Sequence, residues 1–451
     1  MPLRPSRSSL AAPAAALLAA GLAAPTQASG FKLAEYSARD LGLANAGYAA
    51  LAADATTIFS NPAGMTKLER AQINGGIHYI TGRGEFSGSG SDAFGNPLGG
   101  GDGGDAFQDT LVPNLYAAMP MMDGRVWLGL GVSAPFGLAT DYTGDWKGRY
   151  QAVESNLVTA DINPSIGVEV NDWLALGAGI SAQYADVKLT NRVDFGSVCL
   201  AEIEPVTPPG TCASFGATPQ GADGTVELEG DDWSWGWNAG ALVDLTPATR
   251  VGLSYRSEVS HDIEGSADFT VPMPLDALLA PAFADTGASA PLDLPASASI
   301  SVRHDWNARL SFMADASWTG WDGNVEALNV SFENPAQPRS VETLDYQDTW
   351  RYGVGAEYRG WSDLTVRAGL AYDESPAQED FRTPRIPDSD RIVLAFGLSW
   401  SPEENVTVDA AYQHLFFDDA PTGNVGDAGS RLTGAFDNAA DIVGIAINWR
   451  R

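Results

Sequence analysis

The sequence predicts an all-β fold, a transmembrane antiparallel β-barrel of about 14 strands with an N-terminal plug, or hatch, in its lumen. Three observations predict it: apolar and polar or small residues alternate one by one from residue 71 to residue 449, the connections are alternately short and long, and a secretory-type leader precedes them. In RIVLAFGLSW (391–400), Ile392, Leu394, Phe396, Leu398 and Trp400 fall on one side of a strand, with Arg391, Val393, Ala395, Gly397 and Ser399 on the other. Val406, Val408, Ala410 and Tyr412 repeat the pattern against Thr407, Asp409 and Gln413, as do Val443, Ile445, Ile447 and Trp449 against Gly444, Ala446 and Asn448. A period of two sustained this long excludes helices.

A soluble sandwich would alternate in the same way, so the membrane assignment rests on further features. Apolar faces end in aromatic residues such as Trp173, Tyr184, Tyr255, Trp318, Tyr358, Trp400, Tyr412 and Trp449, as interfacial girdles require. Tight turns at Met122-Asp123-Gly124, Asn171-Asp172, Thr246-Pro247-Ala248, Trp306-Asn307, Gly360-Trp361-Ser362-Asp363 and Pro402-Glu403-Glu404 interleave with loops of roughly 15 to 35 residues, the habit of outer-membrane barrels. Residues 1–28 carry Arg4 and Arg7, the apolar run 10–24 and the small-residue site Thr26-Gln27-Ala28, which reads as a secretory signal peptide; together with the barrel pattern it leads to an expected location in the outer membrane of a Gram-negative envelope.

The elements follow in order. Residues 29–70 break the barrel pattern, and their apolar side chains Phe31, Leu33, Leu41, Leu43, Leu51, Ile58 and Phe59 need cover, which a position inside the barrel supplies. The barrel occupies 71–451, with strands expected near 71–81, 110–120, 124–134, 150–171, 173–190, 225–245, 250–268, 292–305, 308–318, 342–359, 364–374, 389–401, 405–417 and 438–449. The inward face carries Arg256, Glu258, Arg303, Asp305, Arg309, Asp315, Arg351, Glu357, Arg367, Arg391 and Asp409, read as ion pairs of a wet interior. Residues 270–291 place Met273, Leu275, Leu278, Leu279 and Phe283 in an outer loop, which reads either as a binding groove or as packing against neighbouring loops.

A net charge of −31 excludes nucleic acid as a partner. Loop acids such as Asp92, Asp102, Asp105, Asp109, Asp418, Asp419, Asp427 and Asp437 keep the outer loops solvated, and bridging to lipopolysaccharide through divalent cations is the sharper expectation for them. Cys199 and Cys212 lie in one outer loop and are expected to form a disulfide in an oxidising compartment. No metal site and no cofactor are expected. The four histidines stand alone, without a Gly-x-Ser-x-Gly or His-Glu-x-x-His motif, so an enzyme is not expected.

Five stretches, SGFKLAEYSARDLGLANAG (29–47), DATTIFSNPAGM (54–65), APFGLATDYTGDWKGRYQAVESNL (134–157), INPSIGVEVNDWLALGAGISAQYADVKLTN (162–191) and RTPRIPDSDRIVLAFGLSW (382–400), resemble the long-chain fatty-acid transporter (FadL) family of the outer membrane. The resemblance implies a fourteen-stranded barrel occluded by a hatch that bears Asn61, Pro62 and Ala63, working as a monomer. It implies capture of a long-chain fatty acid or other hydrophobic molecule in an outer groove, here Met273, Leu275, Leu278, Leu279 and Phe283. Transfer to an interior pocket beside Phe31, Leu33 and Phe59 would follow, then lateral exit through a kinked third strand. Gly129, Gly131 and Pro135 are the kink candidates, since glycine and proline weaken strand pairing. Importers of aromatic or alkane hydrocarbons and, further off, a general diffusion porin are the alternatives. The chain departs from the usual aromatic end of such barrels by closing on Trp449-Arg450-Arg451.

Overall fold

Fourteen antiparallel strands close into one barrel among residues 30–451, the part of the chain that the computed structural model describes. The leader expected at 1–28 lies outside the described residues. The strands are β1 (Gln72–Ser91), β2 (Thr110–Met121), β3 (Val126–Ser133 and Gly137–Asp141), β4 (Glu154–Asn171), β5 (Leu174–Asp194), β6 (Asp223–Thr246), β7 (Thr249–Arg256 and Val259–Thr270), β8 (Thr286–Leu294 and Ser297–Asp305), β9 (Leu310–Thr319), β10 (Thr349–Tyr358), β11 (Leu364–Asp373), β12 (Arg391–Glu403), β13 (Val406–Phe417) and β14 (Arg431–Arg450). Each pairs with its sequence neighbour, and β14 returns to β1 in unbroken register from Gln72↔Arg450 to Ser91↔Arg431. Closure gives every strand a paired neighbour on each side, the condition for spanning lipid with strands.

Alternation sorts the side chains as the sequence predicts. Ile392, Phe396, Leu398 and Trp400 of β12 are exposed on the outer face, whereas Arg391, Val393 and Ala395 are buried. Short turns are built from local chemistry. Asn171 accepts the N–H groups of Trp173 and Leu174 at 3.0 and 2.9 Å, and Asn307 those of Arg309 and Leu310 at 2.8 and 3.0 Å, so each side chain substitutes for a backbone turn.

Three differences from the sequence reading have physical causes. First, β1 continues to Ser91 and β14 begins at Arg431, well beyond the expected 81 and 438; above the membrane both faces of a strand meet water or loops, so the alternation that marks a strand disappears while backbone pairing persists. Phe86 and Phe436 face each other there with ring centroids 5.1 Å apart. Second, β7 and β8 are both interrupted at the same level, at 257–258 and 295–296, and the inward phase shifts by one residue across each break. Arg256 is inward before the break and Val259 and His261 after it, so Glu258, expected inward, is exposed; Arg309 lies exposed in a turn. Third, β8 starts at Thr286, which shortens the expected outer loop 270–291 to 271–285.

Candidate functional site

The N-terminal segment, residues 30–70, meets inward-facing residues of most of the strands. Its local structure is set by small capped turns. Ser37 caps helix α1 (Ala38–Leu41) by accepting the Asp40 N–H at 3.3 Å, and helix α2 (Thr57–Ser60) leads into Asn61, which caps the 3₁₀ turn Pro62–Lys67 by accepting the Ala63 N–H at 3.1 Å. Proline follows the cap because its missing N–H costs nothing there. The Asn61 amide donates to the carbonyls of Ala49 (2.7 Å), Ala241 (3.1 Å) and Leu253 (3.3 Å), tying the motif to β6 and β7. Gly240 leaves room for the Asn61 side chain, and Gly177 for the Pro62–Ala63 backbone.

On the other side of the barrel, Arg39 pairs with Glu357 of β10 at 2.5 Å, the Leu41 carbonyl accepts from Gln413 of β13 at 3.1 Å, and Gly42 meets Gly397 of β12 backbone to backbone. Ala49 N–H donates to Ser301 of β8 at 2.9 Å. Gly129 belongs to this packing, since a side chain there would strike Met65 and Ile58, whereas one at Gly131 would crowd Tyr116 of β2 first and Ile58 less closely. Both lie in regularly paired β3, whereas Pro135 lies in the break between the two halves of that strand.

At that break the N-terminal segment acts as a short strand. Lys32 bridges to Phe136, Leu33 N–H donates to the Pro135 carbonyl at 2.9 Å, and Gly137 N–H to the Phe31 carbonyl at 2.8 Å. The β2–β3 ladder stops at Leu115↔Val132, so residues 110–114 of β2 have no ladder partner on the β3 side. Beside the break, Phe31 packs edge-on against Trp321 at 4.9 Å and tilted against Phe136 at 6.0 Å.

A cavity of about 630 Å³, including its part open to solvent, separates the segment from β6–β10. Leu33 and Phe59 line it, as do Lys32, Tyr36, Arg256 and Arg351; Phe31 sits behind in the aromatic cluster. Tyr36 stacks on Phe59 at 5.0 Å, and the Arg256 guanidinium lies 4.4 Å from the Phe59 ring. Sequence reasoning singled out the arginines as inward but not Lys32 or Tyr36; the one available signal was a lysine placed between two apolar residues, Phe31 and Leu33.

Three acids of the segment, Glu35, Asp40 and Asp54, lie buried with no ion pair among the described residues. Burial pushes Glu35 up to about 7, against a hydrogen bond from the Ala34 N–H. Asp40 is also raised to about 7 by burial, with nearby Arg39 and the Tyr36 hydroxyl opposing the shift. The seated segment therefore holds more protons than the released one between the ordinary carboxylate range and pH 7. Its seating is expected to weaken as pH rises through that window and to level off above it. Protease protection of residues 30–70, followed from pH 4.5 to 8, checks this, and the Glu35→Gln, Asp40→Asn variant should flatten the profile.

On the outer side, Leu275 and Leu279 are buried, and Leu278 and Phe283 partly so, against Phe195, Cys199, Cys212 and Ala217. Phe283 packs edge-on against Phe195 at 5.0 Å. Cys199 and Cys212 form the expected disulfide. The apolar loop thus packs on the disulfide loop, and of the five expected groove residues only Met273 is strongly exposed, at 85 %. No group of three or more potential metal ligands occurs among the described residues.

The closed fourteen-strand antiparallel barrel is matched by known proteins. A profile of the family described as outer membrane protein transport protein (OMPP1/FadL/TodX) matches residues 19–450. The chain belongs to this family. Among its relatives, it is 31 % identical to the putative outer membrane protein NMB0088 of Neisseria meningitidis serogroup B, covering 95 % of this chain and 96 % of that one. It is also 31 % identical to the long-chain fatty acid transport protein of Escherichia coli O6:H1, covering 86 % and 87 %. A FadL homologue from Pseudomonas aeruginosa superposes with a TM-score of 0.86 at 25 % identity, over 93 % of this chain and 99 % of the other. The toluene transporter TodX of Pseudomonas putida shares the fold, with a TM-score of 0.70 at 18 % identity over 92 % and 99 %. As a member of the OMPP1/FadL/TodX family, the chain is an outer-membrane β-barrel transport protein.

Proposed function

We propose that this protein takes up long-chain fatty acids or similar hydrophobic compounds across the outer membrane, with residues 30–70 as a hatch that converts an open tube into a guided route. The observation that carries the proposal is the cavity between this segment and β6–β10, whose lining residues Lys32 and Leu33 pair with the break in β3. A greasy molecule gains roughly 0.8 kcal/mol for each CH₂ it buries, which a water-filled pore does not offer. Capture begins at the outer loops near Met273, passage brings the molecule beside Leu33 and Phe59, and exit runs sideways between residues 110–114 of β2 and the break at Pro135. The segment closes that exit with its own backbone at Phe31–Leu33, so moving it opens the wall without unfolding the barrel.

Asn61 is the fastening tested most directly. Alanine at this position leaves the carbonyls of Ala49, Ala241 and Leu253 without their shared donor and removes the cap on Ala63. The expected loss is about 2–4 kcal/mol of seating free energy. Uptake of labelled oleate by cells expressing Asn61→Ala should fall several-fold relative to the wild type at equal surface expression; equal uptake would remove the hatch from the mechanism.

A neutral aromatic hydrocarbon is the second reading of the cargo. It is favoured by the aromatic wall, in which Tyr36 stacks on Phe59 and meets Tyr48 edge-on at 5.3 Å. The relation to a relative named as a long-chain fatty acid transport protein at 31 % identity supports the first reading.

A further inference from the structure

We infer that Lys32 is the residue that selects the head group of the cargo, so that the cavity takes hydrophobic compounds carrying a single carboxylate in preference to neutral ones of the same length. This deepens the uptake reading above and rests on it.

Three cations line the cavity: Lys32, Arg256 and Arg351. Arg256 is already paired, its Nη1 lying 3.2 Å from Asp161, and it also donates to the Phe59 carbonyl. Arg351 lies 3.6 Å from Asp315 and donates to the Ala44 carbonyl. Their charges are therefore balanced by buried acids of the barrel wall. Lys32 differs. Among the described residues its ammonium forms no ion pair, and its hydrogen bond is to a neutral hydroxyl, Thr319 Oγ1, at 3.1 Å. An ammonium has three donors, so two remain for a ligand.

Such a group is costly to keep inside a protein unless something repays its lost hydration. Burial lowers Lys32 to about 8, with Asp373 raising it and Arg256 and Arg351 lowering it, so at neutral pH the side chain stays mostly charged. A carboxylate in the cavity supplies the missing partner, and a charge-assisted hydrogen bond of this kind is roughly twice as strong as a neutral one. The rest of the lining fits an amphiphile, with serine hydroxyls at Ser254, Ser297 and Ser299 near the head and Leu33, Tyr36 and Phe59 beside the chain. A neutral hydrocarbon or alcohol gains the same apolar contacts but leaves the ammonium unpaired. Because Lys32 belongs to the strand that pairs with the β3 break, the head group is held by the segment that closes the exit.

The test compares a carboxylic acid with the primary alcohol of equal chain length, oleate against oleyl alcohol, for binding to the purified full-length barrel in a nonionic detergent. Both are measured by displacement of a fluorescent fatty acid from the wild type, Lys32→Met and Lys32→Arg. The wild type is expected to prefer oleate by roughly tenfold or more. Lys32→Met should lose that preference while binding the alcohol as before, and Lys32→Arg should keep it. Each variant is first shown to be folded by its heat-modifiable migration on gels. A preference for oleate that survives Lys32→Met would overturn the inference while leaving the uptake reading intact. Failure of the wild type to bind either compound would overturn both.

Discussion

Glu357→Ala is expected to cost about 3–5 kcal/mol and to release the start of the N-terminal segment, because it removes one anion from among three guanidinium groups. Arg39 lies 2.5 Å from this carboxylate, Arg367 2.8 Å and Arg359 3.6 Å, and Glu357 is almost fully buried. Among the described residues, Arg367 then keeps a 3.6 Å contact with Asp409 and Arg39 has no other ion pair. The unbalanced arginines then seek water, and the nearest route is the polar cavity that both line together with Arg303 and Arg450. The readout is trypsin cleavage after Arg39, which the native pairing protects. Glu357→Gln keeps the shape without the charge and should fall between the two. Trypsin resistance unchanged in the alanine variant would show that α1 is held by packing rather than by this pair.

The second large effect is steric. A methyl group built on Gly397 would come within 2.7 Å of the Gly42 Cα, and one on Gly42 within 2.6 Å of the Gly397 Cα. Both contacts are backbone against backbone, so no flexible side-chain tip can swing away. Gly397→Val is therefore expected to prevent α1 from seating against β12, at a cost beyond the roughly 1–3 kcal/mol typical of overpacking. The barrel should still assemble, since the outward residues Phe396 and Leu398 and the pairing to β11 and β13 are untouched. Planar-bilayer conductance separates the outcomes: a larger, noisier current than the wild type is expected, and a wild-type current would mean that the segment has another way to pack.

How much of this was legible beforehand depends on the range of the interaction. The strands were legible because lipid on one side and protein or water on the other force an alternation within ten residues. Where that boundary ends the signal ends too, as in residues 82–91 of β1. The matching breaks in β7 and β8 reversed the inward phase without a residue that announces it, so Glu258 was assigned to the wrong face. Leu275, Leu278, Leu279 and Phe283 were legible as apolar residues in an outer loop. That their cover is the Cys199–Cys212 loop was not, because the two loops are separated by β6 and β7 along the chain. Asn61, Pro62 and Ala63 stood out as a motif, while the carbonyls they engage come from strands almost two hundred residues later.

By itself the sequence determined a closed outer-membrane barrel of about 14 strands with a separate N-terminal segment, because period-two patterning and turn chemistry are local properties of the chain. The tertiary structure decided which buried charges are matched. Arg39 finds Glu357 and Arg256 finds Asp161, but among the described residues Lys32 reaches a threonine 287 residues away and no acid. Pairing of charges inside a barrel depends on register and strand phase summed around the whole circumference, and no window of sequence contains that sum.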